Sequence, residues 1–360
     1  MYDLFGIPAV VYRGGTSRGL FFHEKDLPER KFWDDVFLAA LGSPDKREID
    51  GLGGATSHTS KVVVISKKDE YINYLFAQVG IDKPIVDYKG MCGNLLSAVG
   101  PFAIDEGLIK AEEPKTSIKV LNINTGKRFE ITVPVKNGKS VSQGNYSIAG
   151  VKKSGARIDI KYIEPAGAKT GKLFPTGKRK ETLNIGEKAI EASILDVSNP
   201  MVFVRAEDVE IDLRTWDKRS SVDRLNEIRD YVACVLGFAE NLEEASSRSA
   251  AIPKIALVQS SKDENADIIS FMLSMGRVHE SYAATAAVCI GAASKIPGTV
   301  VYEVARKNGD KLNILHPSGI MDVKTEIEFN KEISVRSVSM GRTARRLMDG
   351  RVYVPYIIFK

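Results

Sequence analysis

The sequence predicts an α+β fold of two similar β-rich domains, each a curved sheet or barrel wrapped around one central helix. Three observations carry that expectation. A helix-opening segment recurs: Cys92-Gly93-Asn94-Leu95-Leu96-Ser97-Ala98-Val99-Gly100 aligns with Ala283-Ala284-Thr285-Ala286-Ala287-Val288-Cys289-Ile290-Gly291, and the step from 92 to 283 equals that from Gly107 to Gly298, which close the two copies. Both copies are apolar on every side, with Leu95, Leu96, Val99 and Phe102 in one and Ala287, Val288, Ile290 and Ala293 in the other. A short helix without a polar face must be enclosed by other elements. Strands also outnumber helices, and most connections read as too short for βαβ crossovers, which favours α+β over a doubly wound sheet.

The elements follow in order. Apolar alternation marks strands at Ile7 to Tyr12 and Gly19 to Phe22, joined by the turn Arg13-Gly14-Gly15-Thr16-Ser17-Arg18. An amphipathic helix is expected over Glu29 to Leu41, and the polar loop from Asp50 to Ser60 then feeds a strand from Lys61 to Ser66. After the Cys92 helix, Ile118 to Leu121 and Phe129 to Val133 form a hairpin around Asn124-Thr125-Gly126. From Glu164 to Gly186 the pattern lapses into Gly, Pro and Lys, the best domain linker in the chain. Beyond it come strands near Ala189 to Leu195 and Met201 to Arg205, a helix near Ser221 to Leu236, further strands, the second small-residue helix, and strands to the C-terminus. The expected division is residues 1–185, to which a C-terminal strand at about 346–360 returns, and residues 186–345.

A chain of 360 residues has room for two cores. Its 43% apolar and 27% charged residues exclude wholesale disorder. A net charge of +5 is mild. It suits an anionic ligand and does not point to nucleic acid, which needs basic residues gathered on one face. The N-terminal residues lack a basic region followed by an apolar run, and no stretch reaches the roughly 18 apolar residues of a membrane span. A cytoplasmic protein is expected, with neither nucleic acid nor membrane as partner; a homodimer is compatible with the sequence, which does not fix the oligomeric state. Three widely spaced cysteines suit a reducing compartment and offer no CxxC metal pair.

Most free cysteines are small core hydrophobes. Cys234 and Cys289, each inside an apolar run, fit that description. Cys92 does not, because it precedes its helix and is followed by Gly-Asn, a pair suited to a turn or an N-cap. The unpaired N–H groups of a helix start stabilise a thiolate and attract anions, so Cys92 is a candidate for chemistry on an anionic molecule. Lys61 shares a strand face with Val63 and Ile65, and two readings stand: a strand-end lysine reaching into water, or an amine at the mouth of an apolar surface that can act as a base. Arg13 to Arg18 likewise reads as an anion cradle of two glycines, two hydroxyls and two guanidinium groups, or as a solvated hairpin tip. The loop from Gly51 to Lys61 lacks the spacing of a phosphate-binding loop and enters a strand where that motif requires a helix. His279 and His316 have no partners at metal-ligand spacing, so no metal site is expected.

Taken together, several segments in order resemble the PrpF family, the 2-methylaconitate cis-trans isomerases, and their relatives that isomerise methylitaconate and oxalomesaconate. They are Tyr12-Arg13-Gly14-Gly15-Thr16-Ser17-Arg18-Gly19, Asp50-Gly51-Leu52-Gly53-Gly54-Ala55-Thr56-Ser57, Thr59-Ser60-Lys61, Cys92-Gly93-Asn94, Phe174-Pro175-Thr176-Gly177, Ile296-Pro297-Gly298-Thr299 and His316-Pro317-Ser318-Gly319. The resemblance implies the diaminopimelate epimerase-like fold, in whose epimerases each half supplies a cysteine. Here Ala283 stands opposite Cys92, which argues against a two-cysteine racemase. The resemblance implies instead that Lys61 and Cys92 form the acid–base pair. Thr16, Ser17, Arg18, Ser57, Gly93, Asn94, Ala284, Thr285, Ala286 and Ser318 are the candidate substrate-binding residues. The expected reaction is a proton shift in a small unsaturated di- or tricarboxylate, which needs neither a redox cofactor nor a metal. A non-catalytic carboxylate-binding accessory protein of an aconitase-like enzyme, and an amino-acid epimerase, are the alternatives.

Overall fold

Two hairpin-built units share the chain: residues 1–161 with 341–360, and residues 162–340. The structure, a computed structural model, describes residues 3–186, 188–214, 222–249, 252–274, 277–279, 282–306 and 309–359. The first unit runs β1 (Leu4–Gly14), β2 (Ser17–His23), α1 (Trp33–Leu41), β3 (Lys61–Lys68), β4 (Tyr71–Val79), β5 (Val86–Asp87), α2 (Gly93–Asp105), β6 (Lys115–Asn122), β7 (Arg128–Lys136) and β8 (Lys139–Ser140). The chain leaves it within β9 (Ile158–Ile163). The second unit runs β10 (Glu181–Ile185), β11 (Lys188–Val197), β12 (Asn199–Arg205), α3 (Val222–Val235), α4 (Leu242–Arg248), β13 (Lys254–Ser260), β14 (Ile268–Ser274), β15 (Arg277–Val278), α5 (Ala284–Ala293), α6 (Val300–Val304), β16 (Lys311–His316) and β17 (Gly319–Phe329). The chain returns within β18 (Ile333–Arg342), and β19 (Ala344–Pro355) pairs antiparallel with β1.

The two units repeat one plan. In the first, hairpin β1–β2 leads through α1 to hairpin β3–β4, whose first strand is parallel to β2, and then through α2 to hairpin β6–β7, parallel to β4. In the second, β11–β12, α3 with α4, β13–β14, α5 and β16–β17 follow in the same order with the same parallel joints. Hairpins predominate as expected, but each unit also holds two parallel pairs that need helical crossovers. One of them, in the first unit, starts from β4, a strand that the sequence analysis does not mark.

The sheet of the first unit is faced by a helix on either side. Leu20, Phe22, Val62, Val64, Ala77 and Val79 share a core with Val36, Phe37, Ala40 and Leu41 of α1. On the opposite face lies α2, buried from Leu95 to Ile104, with the Phe102 ring 5.6 Å from Phe21. In the second unit α5 is buried from Ala286 to Ala293 and packs against β11, β12 and β17. The repeated glycines explain why the copies match. A Cβ on Gly100 would stand 2.6 Å from Cγ2 of Val133 in β7, and one on Gly291 would stand 2.7 Å from Cγ2 of Val323 in β17. Each helix therefore touches its third hairpin through a position that no other residue fits without displacement.

Several expectations shift in detail. Helix α1 begins at Trp33, because Arg30–Phe32 forms a 3-10 turn ahead of it. The expected linker, Glu164 to Gly186, belongs to the second unit, where the buried Asp196 accepts hydrogen bonds from the Lys169 and Thr170 N–H groups, both at 2.7 Å, and from Thr170 Oγ1 at 2.9 Å. One carboxylate, distant in sequence, thus organises a stretch whose composition reads as unstructured. Ser221, the expected start of the helix to Leu236, lies outside the described residues. Cys289 is fully buried in α5, and burial pushes its thiol well above the ordinary range; Cys234 is half-buried in α3. Among the described residues no helix is long and apolar enough to cross a membrane.

Replacing Gly100 or Gly291 by Val should lower unfolding free energy by about 1–3 kcal/mol, the usual cost of overpacking. Urea denaturation reads this as an earlier midpoint at unchanged slope, and an unmoved midpoint would contradict the packing described.

Candidate active site

Strand register decides which way each candidate side chain points. Leu20 of β2 lies opposite Val62 of β3, and Lys61 lies opposite Gln78 of β4. Since Leu20, Phe22, Val62 and Val64 face α1, alternation turns Ser17, Gly19 and Phe21 of β2, Lys61, Val63 and Ile65 of β3, and Tyr74, Phe76 and Gln78 of β4 toward α2. Cys92 is the N-cap of that helix, in extended conformation with φ −105° and ψ 101°. The two candidate acid–base residues, from separate segments, are thus carried to the same face of one sheet.

Cys92 is held mainly through its backbone. Its carbonyl accepts from the Leu96 N–H at 3.0 Å and from Tyr74 Oη at 2.9 Å, while its own N–H donates to Tyr74 Oη at 3.2 Å. The thiol is left for a loose contact, Sγ to Ser17 Oγ at 3.9 Å. Lys61 is 8% exposed. Its Nζ donates to Gln78 Oε1 at 2.5 Å and lies 5.0 Å from the Phe76 ring centroid. Among the described residues no carboxylate pairs with it. Close backbone approach brings the three segments together: a Cβ on Gly19 would stand 2.8 Å from the Lys61 carbonyl oxygen and 2.9 Å from Leu95 Cδ1.

The hairpin tip closes over the start of α2. Asn94 Nδ2 donates to Thr16 Oγ1 at 3.0 Å, so these two candidates are engaged with each other, and Gly93 and Asn94 are half-buried. Arg13 is spent on bracing: its Nη1 donates to the carbonyls of Gly15 at 2.8 Å and Thr343 at 3.0 Å. Burial, aided by repulsion from Arg345, lowers the pKa of its guanidinium. Of the two arginines in the expected cradle, Arg18 has the lighter commitment, a single Nη2 contact to the Gly53 carbonyl at 3.3 Å. The Arg18 N–H also donates to the His58 carbonyl at 2.9 Å, tying the loop that carries Ser57, itself exposed, to the hairpin. Ala284, Thr285 and Ala286 form the first turn of α5 in the second unit, and Ser318 sits exposed in the β16–β17 turn, donating its N–H to His316 Nδ1 at 3.3 Å.

Sequence reasoning missed four residues. Glu48 is buried and accepts from Ser60 Oγ and from the Ala55 N–H, each at 2.6 Å, so it anchors the loop that delivers Lys61. Its run Asp45-Lys46-Arg47-Glu48 reads as solvated, and nothing local betrays the burial. Tyr74 and Gln78 belong to β4, whose alternation in Tyr71-Ile72-Asn73-Tyr74-Leu75-Phe76-Ala77-Gln78-Val79 was the available signal. In the second unit, Asn199 opens β12 as Ser17 opens β2, and its buried Nδ2 has no hydrogen-bond partner among the described residues.

Comparison with known proteins adds five findings. The sequence profile of the family described as "PrpF protein" matches residues 4–355. A 3-methylitaconate isomerase of Eubacterium barkeri is 40% identical over 377 residues, covering 98% of this chain and 98% of that protein. A 2-methyl-aconitate isomerase of Shewanella oneidensis is 36% identical, covering 97% of each chain. The crystal structure of a methylitaconate-delta-isomerase superposes with a TM-score of 0.92 at 38% identity, covering 100% of this chain and 98% of the other. A hydroxyproline epimerase structure, at 10% identity, TM-score 0.53 and coverage of 98% and 93%, shares the fold alone, which is the epimerase-like fold expected from the sequence.

Glu48→Ala should cost about 1–3 kcal/mol, because it strands the Ser60 hydroxyl and the Ala55 N–H. Denaturant unfolding together with limited proteolysis of the 50–60 loop checks this; wild-type stability with an equally resistant loop would contradict the anchoring role.

Proposed function

The chain belongs to the PrpF family, and on that premise we propose that it is an isomerase that moves a proton within a small unsaturated di- or tricarboxylate. The names of its relatives, 3-methylitaconate isomerase and 2-methyl-aconitate isomerase, support that substrate class. One observation of the chain itself carries the reading: Lys61 and Cys92 share a sheet face, with the amine on a neutral amide and the thiol free of any strong bond.

Removing an allylic proton from such an acid leaves a dienolate, its charge spread into a carboxylate. One member of the pair takes that proton, and the other delivers a proton to the far end of the allylic system. No atom or electron is gained or lost, so the step asks for no redox partner. A proton passed between the two groups, directly or through water, resets the pair. An amine with a thiol and an ammonium with a thiolate carry the same number of protons, so either arrangement of the pair balances the reaction. The growing charge falls to groups that can donate to it: the first-turn N–H groups of α2, which have no partner within the helix, with Ser17 and Asn94.

Lys61→Ala and Cys92→Ser should each reduce turnover of 3-methylitaconate or 2-methylaconitate at least about 100-fold, the usual worth of a general acid or base. Proton NMR in deuterated water reads both the rate and the incorporation of solvent deuterium at the allylic carbon. Near-normal turnover in either variant would remove that residue from the mechanism.

A further inference from the structure

Strand β4 carries three side chains on the α2 face at alternate positions, and each one meets a proposed reacting residue. Tyr74 bonds both backbone groups of Cys92, Phe76 lies beneath the Lys61 ammonium, and Gln78 accepts from its Nζ. We infer that this strip positions the acid–base pair, and that Gln78 in particular aims Lys61 through a neutral acceptor. The inference rests on the reading of Lys61 as a reacting group.

The orientation of Gln78 is fixed from behind. Its Nε2 donates to the Ser60 carbonyl at 2.9 Å and reaches the Val79 carbonyl at 3.4 Å. A flipped amide would set its NH2 against an ammonium and its oxygen against a carbonyl, donor on donor and acceptor on acceptor. Ser60 in turn is tied to the buried Glu48, so the line from Glu48 through Ser60 and Gln78 ends at the amine.

Chemistry explains why an amide stands there. A carboxylate at 2.5 Å would pair with the ammonium and resist its deprotonation, whereas a neutral carbonyl oxygen gives direction with a weaker hold on the proton. Gln78 and Phe76 of β4 meet the amine, Ser17 of β2 and Cys92 at the start of α2 lie on the same side of the sheet, and among the described residues no carboxylate pairs with Lys61. The amine thus has a fixed direction and no counter-ion of its own.

Two variants and a readout independent of turnover test this. In protein carrying carbon-13 lysine, the Lys61 Cε resonance, assigned by its loss in Lys61→Arg, reports the protonation of Nζ. Gln78→Glu should move its titration midpoint up by about one pH unit or more, and Gln78→Met, which keeps the length and removes the acceptor, should move it down. On the isomerase reaction Gln78→Met should lower kcat about 100-fold, as misaimed catalytic groups do, with KM within about threefold of the parent. Lys61 titrating at one pH in the parent and in both variants would overturn the inference. Should Gln78→Glu fail to fold, Gln78→Met decides alone. A parent that isomerises no unsaturated carboxylate, while the midpoints still move apart, defeats the reaction and leaves the positioning role standing.

Discussion

Register between β2, β3 and β4 is the constraint on which the site depends. Because Leu20 meets Val62 and Lys61 meets Gln78, one face of the sheet gathers every apolar residue that α1 requires, and the other receives Ser17, Lys61, Gln78 and Tyr74. A slip of one residue in β3 would send Lys61 into the α1 core and Val62 toward Cys92. Packing and chemistry are therefore specified by the same alternation. The hydrophobic gain of placing Val62 and Val64 in one core with Phe37 and Leu41 is what holds the amine on the α2 side.

The two units show what a repeated plan keeps and what it releases. Kept are the order of hairpins and crossovers and the glycine through which the buried helix meets its third hairpin, Gly100 in one unit and Gly291 in the other. Those features maintain a helix in the middle of a curved sheet. Released is the residue at the helix start: Cys92 in the first unit, Ala283 in the second. The helix start can therefore differ where the scaffold is kept, since this N-cap position holds a cysteine in one unit and an alanine in the other.

Much of this was legible in the sequence, and what escaped has physical causes. The two enclosed helices were readable because a segment without a polar face has to be covered, and Cys92 stood out because Gly-Asn after it breaks the apolar run. The facing of Lys61 followed from period two alone. Residues whose meaning comes from distant partners were invisible. Glu48 and Asp196 are carboxylates in polar stretches, and only the fold reveals that each is buried and gathers several donors. Arg13 had the composition of an anion ligand, yet its donors face the carbonyls of Gly15 and Thr343.

Cooperation between an amine and a thiol is the central claim, and a double-mutant cycle on turnover measures it most directly. If Lys61 and Cys92 move one proton between them, the Lys61→Ala/Cys92→Ser protein should isomerise no more slowly than the weaker of the single variants, because removing either partner already disables the pair. Losses that multiply, so that the double variant falls by the product of the two single effects, would show that the residues act independently and would contradict the account.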